Sequence, residues 1–358
     1  MSKSYFVCAN SSSGFVNFFP EVICGMEKVY IIKGGPGTGK STMMKKIGEY
    51  FEKKLYAVEY IRCSSDPKSL DGVVIKELKV LIADGTAPHV IEPTAPGAIE
   101  EYVCLSGAMD SKYLKEYKNV ILAVKEETKK CYKKMYESLK EGKKVHDSLE
   151  KIYIEKTDFH ELEHLRDILS EEIFRNCEYK EEGNISHRFF GALTSSGAVN
   201  FIEELTDSLE KRYLIKGRAG TGKSTFLKGL IKEAQRYGTD TEVYYCSFDP
   251  QSVDMVIFPE LKTGIFDSTA PHEIFPSRES DIILDFYETA VEIGTDERNK
   301  DTIMELNEIY NQHIKTAREC LKIAQELHKG LEKIYINAMD FKKIDRITEE
   351  IICDIENM

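Results

Sequence analysis

The chain has 358 residues, 42% of them hydrophobic and 31% charged, with a formal net charge of −12. That length suits about two ordinary domains, and the composition suits a soluble globular protein. No apolar run reaches the roughly 18 residues that a helical membrane span needs, and the acidic balance argues against nonspecific nucleic-acid binding.

The first residues, MSKSYFVCANSSSG, hold too short an apolar stretch for a secretion signal. The nine cysteines include no CxxC pair, which reads as free thiols in a reducing compartment. A cytoplasmic location is therefore expected. SYFVCA, KVYII, YAVEYIRC and KVLIA read as short buried strands, rich in β-branched and aromatic residues and bounded by Gly, Ser, Asp or Pro. Ser12, Ser13 and Gly14 after the first of them read as a tight turn.

Between the second and third strands stands KGGPGTGKST, residues 33–42. The pattern GxxxxGK[ST] lets successive backbone N–H groups point at phosphate oxygens, because glycine accepts positive φ and lets a ligand come close. The helix expected over Ser41–Lys54, with Met44, Ile47, Tyr50 and Phe51 on one side, would present its N-terminus to the same anion. Strand, glycine loop and helix in that order begin a βαβ unit of a parallel sheet. Gly34, Gly35, Gly37, Thr38, Gly39, Lys40, Ser41 and Thr42 form the expected nucleotide cradle. Lys40 would neutralise the β- and γ-phosphates, and the Ser41 hydroxyl would reach Mg2+.

After DGTAPH the pattern turns helical and rich in Lys and Glu. Ile121, Val124, Thr128, Cys131, Met135, Ser138, Gly142, Val145, Leu149 and Ile152 form a heptad seam, expected to pack in an antiparallel hairpin or coiled coil. A shorter helix should start near Asp158, with Glu161 completing a capping box. The eleven lysines against five glutamates over 112–144 read as a solvated helix face. HELEH at 160–164 matches a zinc-protease helix motif, but the other half has DFKKI there and no third ligand stands out.

The chain then repeats itself. Gly217 opens KGRAGTGKST 183 residues after Gly34 (217 − 34). At that offset SSGFVNF becomes SSGAVNF, CSSDPKSLD becomes CSFDPQSVD, and DGTAPH becomes DSTAPH. HDSLEKIYI at 146–154 returns as HKGLEKIYI at 328–336. The second cradle is Gly217, Arg218, Gly220, Thr221, Gly222, Lys223, Ser224 and Thr225. The second seam runs Ile303, Leu306, Tyr310, His313, Ala317, Cys320, Ala324, Leu327, Leu331 and Ile334. The repeat implies two domains, 1–183 with a helical arm at about 111–176 and 184–358 with one at about 300–356, joined near 180–187.

On these two loops the chain resembles the P-loop NTPase superfamily over about 28–90 and 211–273, and the whole arrangement is similar to bacterial two-domain P-loop ATPases. The resemblance implies an α/β fold of two tandem domains with mostly parallel sheets. It also implies a carboxylate at a strand end to help hold Mg2+. Asp84 and Asp267 fit, each 44 residues after its loop lysine (84 − 40 and 267 − 223). His89 and His272, just beyond, would sense the γ-phosphate, position water or serve the structure. Asp66 and Asp249 would be a base, a second Mg2+ ligand or plain helix caps. ATP and Mg2+ are the expected cofactors. Arg218 has no counterpart in the first loop, and no arginine recurs at one place in both halves, whereas Lys33 with Lys216 and Lys151 with Lys333 do recur. The expected activity is an ATPase coupled to the helical arms or to a protein partner on them; a small-molecule phosphotransferase and a nucleotide-sensing scaffold are the alternatives. Homo-oligomerisation is left open.

Overall fold

A computed structural model describes residues 2–178 and 183–358. The first half contains β1 (Lys3–Tyr5), β2 (Cys8–Ser11), β3 (Gly14–Asn17), α1 (Phe19–Ile23), β4 (Lys28–Lys33), α2 (Lys40–Lys53), β5 (Val58–Arg62), β6 (Leu70–Ile75), β7 (Val80–Asp84), β8 (Glu100–Cys104), α3 (Ser111–Glu116), α4 (Lys118–Ile154) and α5 (Phe159–Phe174). The second contains β9 (Ile185–Arg188), β10 (Gly191–Thr194), β11 (Gly197–Asn200), α6 (Ile202–Thr206), β12 (Lys211–Lys216), α7 (Lys223–Arg236), β13 (Thr241–Tyr245), β14 (Val253–Phe258), β15 (Thr263–Asp267), β16 (Asp281–Asp285), α8 (Phe286–Ala290), α9 (Thr295–Arg298), α10 (Lys300–Asn337) and α11 (Phe341–Glu356). The join expected near 180–187 lies partly outside the described residues. No described helix is long and apolar enough to cross a membrane.

Each half builds a six-stranded, mostly parallel sheet in the same order, β1-β5-β6-β7-β4-β8 and β9-β13-β14-β15-β12-β16. One strand in each, β6 or β14, runs against the rest. These are strands that the sequence reading missed. The reversal is made by ELK, present at both 77–79 and 260–262, which forms the tight turn into β7 and β15, with Lys79 at φ 51° and Lys262 at φ 47°. The single strand expected at SYFVCA is a correction too. It breaks at Phe6 and Val7 into β1 and the hairpin β2–β3, because Phe6 pairs with Phe189 of the other half instead (N···O 2.9 and 2.8 Å). Around this junction one core mixes both halves: Tyr5, Val7, Phe19 and Ile31 pack with Phe190, Ile202, Leu205, Leu214 and Met255.

The arms follow the seams. All twenty seam positions are buried or half-buried. α4 and α10 pair with each other, antiparallel, and the Ser138 hydroxyl donates to the His313 carbonyl at 2.9 Å. Gly142 permits the approach, since a Cβ there would stand 3.3 Å from that of His313. At 37 residues α4 spans about 55 Å, enough to leave one sheet and end on the other.

The sequence reading gave each half its own arm. In the structure the arms are exchanged. Ile344, Ile351 and Ile355 of α11 cover Met43, Met44, Ile47 and Phe51 of the first half. Leu162, Leu169 and Phe174 of α5 cover Phe226, Leu227 and Leu230 of the second. Each such side chain contributes about 1.5–3 kcal/mol on burial, so these helices are held where they cross. Asp158 and Asp340 cap them, accepting from the N–H of His160, and of Lys342 and Lys343.

Candidate functional site

Both glycine loops stand between an inner strand, β4 or β12, and the helix that follows it, α2 or α7. Gly37 and Gly39 adopt φ of 67° and 92°, and Gly220 and Gly222 both 83°. The Thr38 hydroxyl donates to the Gly35 carbonyl and that of Thr221 to the Arg218 carbonyl, each at 2.8 Å, closing the loop on itself. Gly34 and Gly217 make room for this, since a Cβ at either would lie 2.7 Å from the threonine oxygen. The loops therefore present backbone amides and a helix N-terminus around one small space, the arrangement that suits an anion.

The lysines point into that space. Lys40 Nζ donates to the Gly35 carbonyl at 2.7 Å and lies 3.5 Å from Asp84 Oδ2. Lys223 Nζ donates to the Arg218 carbonyl at 2.8 Å and lies 3.5 Å from Asp267 Oδ2. Parallel pairing of β4 with β7, and of β12 with β15, brings each aspartate beside its loop. The other oxygen of each accepts from Thr86 or Thr269, hydroxyl at 2.6 Å and N–H at 2.9 or 3.0 Å. Ser41 and Ser224 accept the N–H of Leu70 and Val253 at 3.0 and 2.9 Å, which ties each helix start to β6 or β14. Thr42 and Thr225 are exposed.

That tie exposes a residue pair that sequence reasoning missed. Gly72 pairs with Ala83, and Met255 with Phe266. The next positions oppose Asp71 to Asp84 and Asp254 to Asp267, on the same face of the sheet. Asp71 and Asp254 are buried. The signal was present, since both close the matched CSSDPKSLD and CSFDPQSVD.

The two carboxylate pairs are neutralised differently. His89 donates from Nδ1 to the Asp84 carbonyl at 2.8 Å and turns Nε2 to within 3.5 Å of Asp71. Burial disfavours its charged form, but Asp71 and Asp84 outweigh burial and push it up to about 9. His272 makes no such pair. Its Nδ1 is buried without a partner, and burial lowers its affinity for a proton. Asp254, buried beside Asp267, is pushed up to about 7. The surroundings of the two histidines differ as well. His89 lies against Phe15 and Phe19, where the second half has Ala198 and Ile202; His272 meets the edge of Phe190, where the first half has Val7.

Asp66 and Asp249 do not cap helices. Each opens a tight turn with proline second, and its side chain accepts the N–H of Lys68 or Gln251 at 3.2 Å. Asp249 also meets Lys143 Nζ at 3.2 Å, from the arm of the first half. Lys33 and Lys216 donate to carbonyls of the loops beyond Asp84 and Asp267, so their recurrence serves that loop's shape. Arg218 is held by Asp296 and stacks on Tyr287; in the first half Tyr335 fills the space beside Gly35. Ser12–Gly14 and Ser195–Gly197 form hairpin turns, as expected. His160 is exposed, and among the described residues HELEH assembles no metal cluster; the one group with that spacing is His146, Asp147 and Glu150 on α4.

Comparison of the chain with protein-family models, curated proteins and solved structures returned no match.

Proposed function

We propose that the chain is an ATPase of the P-loop kind, binding Mg-ATP at both glycine loops and coupling its hydrolysis to the crossed helices. The observation that carries this reading is the same geometry built twice: a lysine ammonium between loop carbonyls and a strand-end carboxylate, at 3.5 Å in both halves. Phosphoryl transfer at such a site rests on position and charge neutralisation. The loop amides and Lys40 or Lys223 would take the phosphate oxygens. Ser41 with Asp84, and Ser224 with Asp267, would hold Mg2+, with Asp71 and Asp254 as further carboxylates; the oxygen-rich donor set suits that ion. The ion, when bound, supplies neutralisation of the β- and γ-phosphate charge.

Coupling has a structural basis in this reading. A Cβ on Gly37 would lie 2.7 Å from the Glu332 carbonyl of α10, and one on Gly220 2.4 Å from the Glu150 carbonyl of α4. A loop that shifts with its nucleotide would press on a helix rooted in the other half.

Phosphate release by the purified protein with Mg-ATP tests the proposal. Release without any acceptor is the expected result. ADP formed only with an added acceptor would make the protein a phosphotransferase, and binding without ADP a nucleotide-sensing scaffold.

A further inference from the structure

We propose that the second site is completed in trans by Lys143, which contacts the γ-phosphoryl group as a catalytic cation and makes that site the one with the faster turnover. The inference rests on the ATPase reading above and names a residue in it.

Two of the contacts that α4 makes with the second half lie at the carboxyl end of its sheet. The helix's Glu150 carbonyl abuts Gly220 in the loop, and Lys143, seven residues earlier, meets Asp249 at the carboxyl edge of the sheet. Two helical turns, about 10 Å, separate those contacts. Between them α4 runs from the loop after β12 to the turn after β13, and β15 and β14, which carry Asp267 and Asp254 at that end, lie between those two strands in the sheet. The Lys143 ammonium is also held by Asp147 on its own helix and is mostly shielded from solvent. It is therefore fixed at the same edge of the sheet as Lys223 and Asp267, where phosphate charge would sit in that reading.

Four buried side-chain polar atoms among the described residues have no hydrogen-bond partner; one, His146 Nδ1, stands on α4 between Lys143 and Glu150, 3.7 Å from Glu150 Oε1, and another, His272 Nδ1, lies in the loop beyond Asp267. Such atoms are costly and ask for an explanation.

Among the described residues the first site has no equivalent cation. The position matching Lys143 is Gln325, whose Oε1 accepts from Ser195 at 2.9 Å. Lys329, at the place of Asp147, is exposed and makes no ion pair among the described residues. In hydrolysis the water oxygen bonds to the γ-phosphorus and the bond to the bridging oxygen breaks. The electron pair stays on ADP and one proton is released to solvent. Lys143 keeps its proton throughout and offsets the charge on the transferring group, as cationic fingers do.

Steady-state kinetics with Mg-ATP test this. Lys40→Ala should keep most of the turnover and Lys223→Ala should lose most of it. Within the Lys40→Ala protein, Lys143→Gln should lower kcat about 10²-fold with KM within a few-fold and the melting temperature unchanged, and Lys143→Arg should restore part of it. An unchanged kcat in Lys143→Gln, a loss confined to KM, or turnover that survives Lys223→Ala and dies with Lys40→Ala would overturn the assignment. No ADP from the wild-type protein would overturn the ATPase reading itself.

Discussion

Single residues decide how the halves adhere. Arg188 is buried and lies within 3.2 Å of Glu59 Oε2 in the first half and 3.3 Å of Glu242 Oε1 in its own. Its counterpart in the repeat is Tyr5, which donates to Glu59 at 2.7 Å, so one buried carboxylate serves both copies of the position. Burial disfavours the Glu59 carboxylate, but Arg188, Lys76 and Tyr5 outweigh burial and bring it from the usual 4.5 to about 2. The folded state therefore binds fewer protons than the unfolded chain between those values. The stability this contributes is complete above about 4.5 and drains as pH falls toward about 2. Glu59→Gln should cost about 3 kcal/mol at neutral pH in urea unfolding and flatten the acid limb between pH 4.5 and 2. An unaltered acid limb would mean that this carboxylate does not join the halves.

At the scale of elements, the crossing of the arms has a local test. Gly220 and Gly97 have nearly the same left-handed backbone, φ 83° and 81°. A methyl at Gly97 meets nothing within 4 Å, whereas one at Gly220 meets the Glu150 carbonyl at 2.4 Å. Both alanine variants should lose about 1 kcal/mol to backbone strain. Gly220→Ala should lose clearly more, and amide exchange in the last turn of α4 should quicken only there. Equal losses would place α4 away from the loop. The seams, the caps at Asp158 and Asp340 and both glycine loops were legible in the sequence, because each has a local pattern. The exchange was not. Ile344, Ile351 and Ile355 announce an apolar face, but periodicity carries no mark of which sheet will cover it. β6 escaped because LDGVVI carries an aspartate and a glycine directly after its first residue and so resembles a turn. Asp71 escaped with it, since its role appears only when β6 lies against β7.

As a whole, the molecule is two similar sheets joined edge to edge at Phe6 and Phe189 and strapped by α4 and α10. Each half lends a helix to roof the other's loop, so neither loop is built by one half alone. The repeat made this symmetry visible in outline. Its departures were harder to weigh. Arg218, the most conspicuous, is occupied by Asp296 and Tyr287, while the quieter change from Lys143 to Gln325 removes the cation that in the second half meets Asp249. The central claim is that both loops take a magnesium nucleotide. Calorimetric titration with Mg-ATP measures it directly. Wild-type protein should bind two equivalents per chain, Lys40→Ala and Lys223→Ala one each, and the double variant none. Binding that is absent from the wild type, or that keeps its stoichiometry in both single variants, would contradict the account.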